Sequence, residues 1–160
     1  MTAVAADLAA MRRAIEASRE ALAGGNMPYG AALVSAGGEL LHVARNTQRT
    51  DADCTAHAEM VLVREAGARL GLPALRGATV YASGEPCAMC SGALFWAGVR
   101  RVVYAAPHAL MAELLGGELL PIGCAQVLAG ASPPVEVVGP VLQDEAAVVL
   151  REAAKIRPMA

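Results

Sequence analysis

Two short clusters thirty residues apart, His57-Ala58-Glu59 and Pro86-Cys87-Ala88-Met89-Cys90, constrain this chain more than any other feature. Cys87 and Cys90 stand three apart at the start of an expected helix, so they share one face and both reach a single ion. Pro86 suits the first helical position, where it has no N–H to lose. The positive end of a helix and a nearby cation both lower a thiol pKa, and both cysteines can then bind as thiolates. Read together, Cys, Cys and His give zinc three protein ligands and leave a fourth tetrahedral position for water, the arrangement of catalytic rather than structural sites. Two thiolates cancel the formal charge of the ion, but the remaining Lewis acidity still brings bound water toward ionisation near neutrality.

Glu59 lies two residues from His57, and on a regular helix two such side chains point roughly 200° apart. The spacing works at a helix end, where His57 turns into the metal and the longer Glu59 reaches the water from the side. Glu59 therefore reads as an acid/base and not as a ligand.

At 160 residues the chain has the size of one domain, taken here as residues 1–160. It is 56% hydrophobic and only 3% aromatic, so each ring carries extra weight. The net charge is -2 and the pI about 5.9, with no basic run longer than Arg12-Arg13 or Arg100-Arg101, which disfavours nucleic acid as a partner. Asp7 and Arg12-Arg13 interrupt the Ala-rich opening, and no segment reaches the roughly 18 to 20 apolar residues of a membrane span. A cytoplasmic protein without a membrane partner is expected. Four cysteines in a chain of this size without an export signal read as thiols kept for a metal rather than as disulfides.

Apolar spacing predicts a helix over Ala5 to Leu22, stopped by Gly24-Gly25, then a hairpin of Tyr29 to Ser35 and Glu39 to Ala44 around Ala36-Gly37-Gly38. A helix follows from Thr55 to about Leu70, capped by Asp53 or Thr55. Strand Ala78 to Ala82, helix Pro86 to Ala97 and strand Val99 to Ala105 alternate, which argues for parallel pairing in a layered α/β domain. Weaker signals mark a short helix at Leu110 to Leu115, a strand at Val135 to Val138 and a closing helix at Gln143 to Ala154. There is no internal repeat or linker.

The zinc deaminases carry an H-x-E and a P-C-x-x-C pattern, and on the two clusters above the chain resembles the cytidine deaminase superfamily from about Pro28 to Ala106. Thr55 to Met60 and Glu85 to Ala97 look like the branch holding guanine deaminase and tRNA adenosine deaminase. Phe95-Trp96-Ala97 and Tyr104-Ala105-Ala106 look closer to guanine deaminase. The resemblance implies a three-layer α/β/α sandwich with a five-stranded mixed sheet, two zinc-bearing helix starts meeting at one edge, and a homodimer. It implies hydrolytic removal of an exocyclic amine as ammonia. It also implies an Asn46 that holds the substrate ring, Trp96 stacked on it, and an acidic contact from Glu118 or Glu113. Residues Arg151 to Ala160 lack both the aromatic segment of guanine deaminases and a basic cluster for tRNA. A small heterocyclic base, whether guanine, a cytosine derivative or an amino-triazine, is thus the expected substrate, with tRNA adenosine editing as the alternative.

Plainer readings stand beside these. A structural zinc needs a fourth ligand, for which Cys54 and Cys124 are the candidates, though a free Cys is commonly a small buried hydrophobe. Trp96 reads equally well as core filling and Asn46 as a turn residue, while Glu118, next to Gly116-Gly117, is by default a solvated loop acid. His42 and His108 receive no role.

Overall fold

In the computed structural model, which describes residues 3–156, the chain opens with helix α1, Ala3–Ala23. Alanine has the highest helix propensity, and Ala10, Ala14, Ala17 and Ala21, with Met11 and Ile15 alongside, form one buried face at three- and four-residue steps. The helix stops where Gly25 takes φ +82° and the Asn26 amide donates back to the Ala21 carbonyl at 2.9 Å. Strand β1, Gly30–Val34, runs directly beneath it. A Cβ at Gly30 would run into the Ala14 carbonyl and the Ser18 amide, so the close approach requires glycine.

β1 pairs antiparallel with β2, Leu40–Arg45, on one side and with β3, Thr79–Gly84, on the other. After β3 comes helix α3, Ala88–Ala97, which crosses to β4, Arg101–Ala106, and β3 and β4 pair parallel. β5, Glu136–Val138, adds in parallel, giving a mixed sheet of order β2-β1-β3-β4-β5 with β3 in the middle. Alternation sends Ala31, Leu33, Val80 and Val102 toward α2 (Ala58–Leu70), α3 and α5 (Cys124–Leu128). Ala32, Tyr81, Val103 and Ala105 face α1 and α6 (Gln143–Ile156), with α4 (His108–Leu115) packed on that side. This is the expected three-layer α/β/α sandwich.

Local differences are informative. α2 begins at Ala58 rather than Thr55, because Asp53 accepts the amide and hydroxyl of Thr55 in a separate turn instead of capping the helix. The N-cap is His57, and its side chain makes no cap bond. α3 has Cys87 as N-cap, so Pro86 precedes the helix and is not its first residue. The two helix starts meet at the carboxyl end of the central strand β3 rather than at a sheet edge. α5 was not anticipated, and a 3-10 turn over Leu72–Leu75 follows α2. Of the carboxyl-terminal segment read above, residues 157–160 lie outside the described part.

The start of α1 is pinned to the sheet by one carboxylate. Both Asp7 oxygens accept from the Arg101 guanidinium at 2.8 Å, and the Tyr81 hydroxyl donates to the same group at 2.6 Å. Arg101 holds the Asp7 carboxyl below its usual range. A depressed carboxylate pKa stabilises the fold fully above the ordinary value near 4 and stops doing so as pH falls through the folded value. Asp7→Asn is therefore expected to cost about 1 to 2 kcal/mol at pH 7, with the gap to wild type closing below about pH 4. Urea titrations at several pH values measure it, and an unchanged gap at pH 3 contradicts it.

Candidate metal centre and substrate cavity

Why the backbone brings His57 and Cys87 together follows from their matching positions. Each is the extended residue just before a helix, with ψ of 154° and 176°, and both helices lie on the same face of the sheet. Cys90, one turn into α3, is wholly buried beside them. His57 Nδ1 lies 3.7 Å from Cys87 Sγ and 3.6 Å from Cys90 Sγ, and all three donor atoms fall within 4.8 Å of one another. One ring nitrogen thus stands nearly equidistant from two sulfurs. Zinc bonds of about 2.3 Å to sulfur and 2.0 to 2.1 Å to nitrogen, at tetrahedral angles, place S and N about 3.6 Å apart, so the set fits one shared ion.

The donor chemistry agrees. Hydrogen bonding from Cys90 and His57 holds the Cys87 thiol down to about 3, while the same hydrogen bond to Cys87, together with burial, pushes Cys90 up. His57 is raised, chiefly by its bond to Cys87. Two sulfurs and an imidazole nitrogen packed this closely are groups whose protons a divalent cation displaces.

Glu59 sits in the first turn of α2, 6% exposed, with its carboxyl against Cys90 and the charges of His57 and Cys87. Burial pushes it up to about 7, against its own backbone amide and His57, which pull it down. A carboxyl poised near neutrality both takes and returns a proton. Neither Cys54, which is exposed, nor Cys124, which is buried elsewhere, joins the donor group among the described residues. Three protein donors beside a buried carboxylate are the equipment of a metal-dependent hydrolase rather than of a closed structural zinc site.

The cavity over these residues has a volume of about 430 Å³, within the range of small-molecule sites. Its floor is His57, Glu59 and Cys87; Tyr29 and Gln48 form one wall, and α4 with residues 116–120 form the other. Glu118 lines that second wall, whereas Glu113 does not. Asn46 lies behind the first wall, 1% exposed, donating from its amide to Gln48 Oε1 at 2.6 Å and accepting from the Gln48 amide at 3.0 Å. It shapes the cavity through Gln48 instead of lining it. Trp96 is not brought to the cavity at all: it is 84% exposed and borders another depression with Leu72, Arg76 and Arg100. Six residues beyond Cys90, it points about 240° around α3 and about 9 Å further along.

Several lining residues carried no sequence signal. Tyr29, held up to about 12 by burial, Met111 and Gln48 come from three separate stretches. His108 also reaches the cavity, its Nε2 donating to the Glu85 carbonyl at 3.0 Å, while His42 lies outside it, paired with Glu65. Only Glu85, directly before Pro86, stood close enough to a motif to be noticed.

Comparison with known proteins agrees with this geometry. Residues 5–106 match the cytidine and deoxycytidylate deaminase zinc-binding region. A probable cytosine deaminase of Schizosaccharomyces pombe is 39% identical over 149 residues, 88% of this chain and 87% of that protein. The tRNA-specific adenosine deaminase of Bacillus subtilis is 42% identical over 60% of this chain and 59% of its own length. The chain spans only 20% of a tRNA(Ile)-lysidine synthase from Deinococcus deserti that it also resembles. Among solved structures, a guanine deaminase from Nitrosomonas europaea superposes with a TM-score of 0.79 at 26% identity, covering 92% of this chain and 84% of that one. The chain belongs to the zinc-binding cytidine and deoxycytidylate deaminase family. His57, Cys87 and Cys90 are positioned to bind a metal.

Proposed function

We propose that the whole chain, residues 1–160, acts as one hydrolytic deaminase domain that removes the exocyclic amine of a free heterocyclic base. The observation that carries this reading is the buried carboxyl of Glu59 beside the His57/Cys87/Cys90 donors on the floor of a cavity of small-molecule size. Zinc bound there supplies Lewis acidity that makes water nucleophilic near neutral pH. Glu59 takes a proton from that water as its oxygen bonds to the ring carbon bearing the amine. It passes that proton to the ring nitrogen, then takes the second proton from the new hydroxyl and gives it to the amine; the C–N bond breaks, ammonia leaves and the carbon keeps the oxygen as a carbonyl. Tyr29 and Gln48 flank the ring, Asn46 keeps Gln48 oriented, and Glu118 accepts from ring N–H groups at the outer wall.

The probable cytosine deaminase relative, matched over most of both chains, supports a free base, as does the negative net charge. Ammonia release from guanine, cytosine, substituted cytosines and amino-triazines tests it, and silence across the panel refutes it. The tRNA-specific relative supports the alternative, tRNA adenosine editing, which requires a salt-sensitive shift of tRNA mobility.

The reading extends to compartment and assembly. Among the described residues no helix is long and apolar enough to cross a membrane, and all four cysteines are free, which supports a reducing cytoplasm. A homodimer is supported by the apolar surface around exposed Trp96 and Leu72. Trp96→Ala is expected to shift sedimentation toward monomer while the KM for the base changes less than about two-fold. A rise in KM without dissociation would instead return Trp96 to the substrate.

A further inference from the structure

Directly before the metal-binding loop stands a carboxylate that the reaction above does not use. Glu85 directly follows β3, its amide donating to the Ala106 carbonyl at 2.7 Å, and its side chain is 11% exposed at the cavity wall. Its two oxygens go to two different helix starts: Oε2 accepts the His108 amide at 3.0 Å and Oε1 accepts the Cys124 amide at 3.0 Å. The main-chain carbonyl of Glu85 adds a third tie, to His108 Nε2. His108 opens α4 and Cys124 opens α5. Between those helices runs the irregular segment 116–123, whose first residues, with Glu118 among them, form the outer wall of the cavity. Leu119, Leu120 and Ile122 within it are exposed, so little apolar burial holds the segment in place.

We propose that Glu85 is a positioning residue: one carboxylate, fixed two residues from Cys87, clamps both helices that bracket segment 116–123 and so sets the distance from the metal centre to the outer wall of the cavity. Amide groups at helix starts have no intrahelical acceptor, and a negative oxygen both satisfies them and complements the helix dipole. Neither α4 nor α5 has another side-chain acceptor for these two amides among the described residues. A neutral amide in the same place keeps one acceptor and turns an NH₂ group against the second helix. The inference rests on the deaminase reading only for its kinetic part.

The test is hydrogen exchange by mass spectrometry on the zinc-loaded full chain, with zinc content and kinetics measured on the same samples. Glu85→Gln is expected to speed exchange in residues 108–124 by about ten-fold, leave α2 and α6 unchanged, and keep zinc at its wild-type stoichiometry. For whichever base of the panel wild type turns over, KM rises by about ten-fold with kcat within about two-fold. Gly123→Ala disturbs the same clamp without touching the carboxylate. Gly123 has φ of -73°, which alanine adopts freely, but its Cβ would lie 3.0 Å from Glu85 Oε1 and displace it. That variant is expected to speed exchange around Cys124 in particular. Unchanged exchange in 108–124 in both variants overturns the proposal, as does loss of zinc, or a fall in kcat at constant KM. If no base is turned over even by wild type, the deaminase reading falls and the exchange data alone decide the clamp.

Discussion

Glu59→Gln is expected to lower kcat by about 10²- to 10⁴-fold while zinc stays at its wild-type stoichiometry. The amide has the shape of the carboxyl and fits the same buried space, yet it cannot accept a proton from water or carry one to the departing amine. Metal content should survive because Glu59 is not one of the three donors that converge within 4.8 Å. The pH profile sharpens the test. Burial holds the Glu59 carboxyl up to about 7, and a base must be ionised before it takes a proton. Activity should therefore fall as pH drops through the Glu59 pKa; a bound cation moves that limb to lower pH without changing its sign. The residual activity of the variant should lack this limb. A variant that stays active, or one that loses its zinc, removes Glu59 from the proton-transfer role.

Cys90→Ser should abolish stoichiometric zinc and with it all turnover. A hydroxyl in place of a buried thiolate offers a poor ligand for the ion. Disturbing a mere supporting partner already costs 10- to 100-fold in affinity as a general rule, so the loss of a direct donor is expected to exceed about 100-fold. Inductively coupled plasma analysis after dialysis reads the result, and retained zinc with retained activity sinks the assignment of this donor. In wild type the same chemistry gives a direction in pH. Thiolates and the imidazole lone pair compete with protons, so zinc is released as pH falls. The helices should persist in the released form, since two apolar clusters on opposite sides of the sheet hold the fold, and far-ultraviolet circular dichroism checks that.

Where the signal was local, the sequence was readable. α1 announced itself through an alanine run with regular apolar steps and a double-glycine stop, and β3, α3 and β4 through strict alternation of strand and helix. The metal donors belong to two motifs of a few residues each, which is why they were found without knowing the topology. α5 spans five residues, too few to display a period. The start of α2 was misplaced because Asp53 and Thr55 have the chemistry of caps but bond to each other. Cavity walls were the least legible part. Tyr29, Gln48 and Met111 are far apart in the chain and meet only because β1 lies next to β3 and α4 folds back behind it. Trp96 shows the converse: a conspicuous residue beside a motif, which helix geometry turns away from the cavity.

Everything that makes and breaks bonds in the proposed reaction lies between residues 57 and 90, within the zinc-binding region matched over 5–106, whereas one whole side of the chamber is supplied by residues 108–120, beyond that region. In the proposed reading, reactivity and a large part of preference are thus written in separate lengths of polypeptide. A graft of the later length from one such chain onto another would be expected to carry over the choice of molecule while the machinery of bond cleavage stays as it was, so descent can vary what is admitted without rebuilding what is done to it.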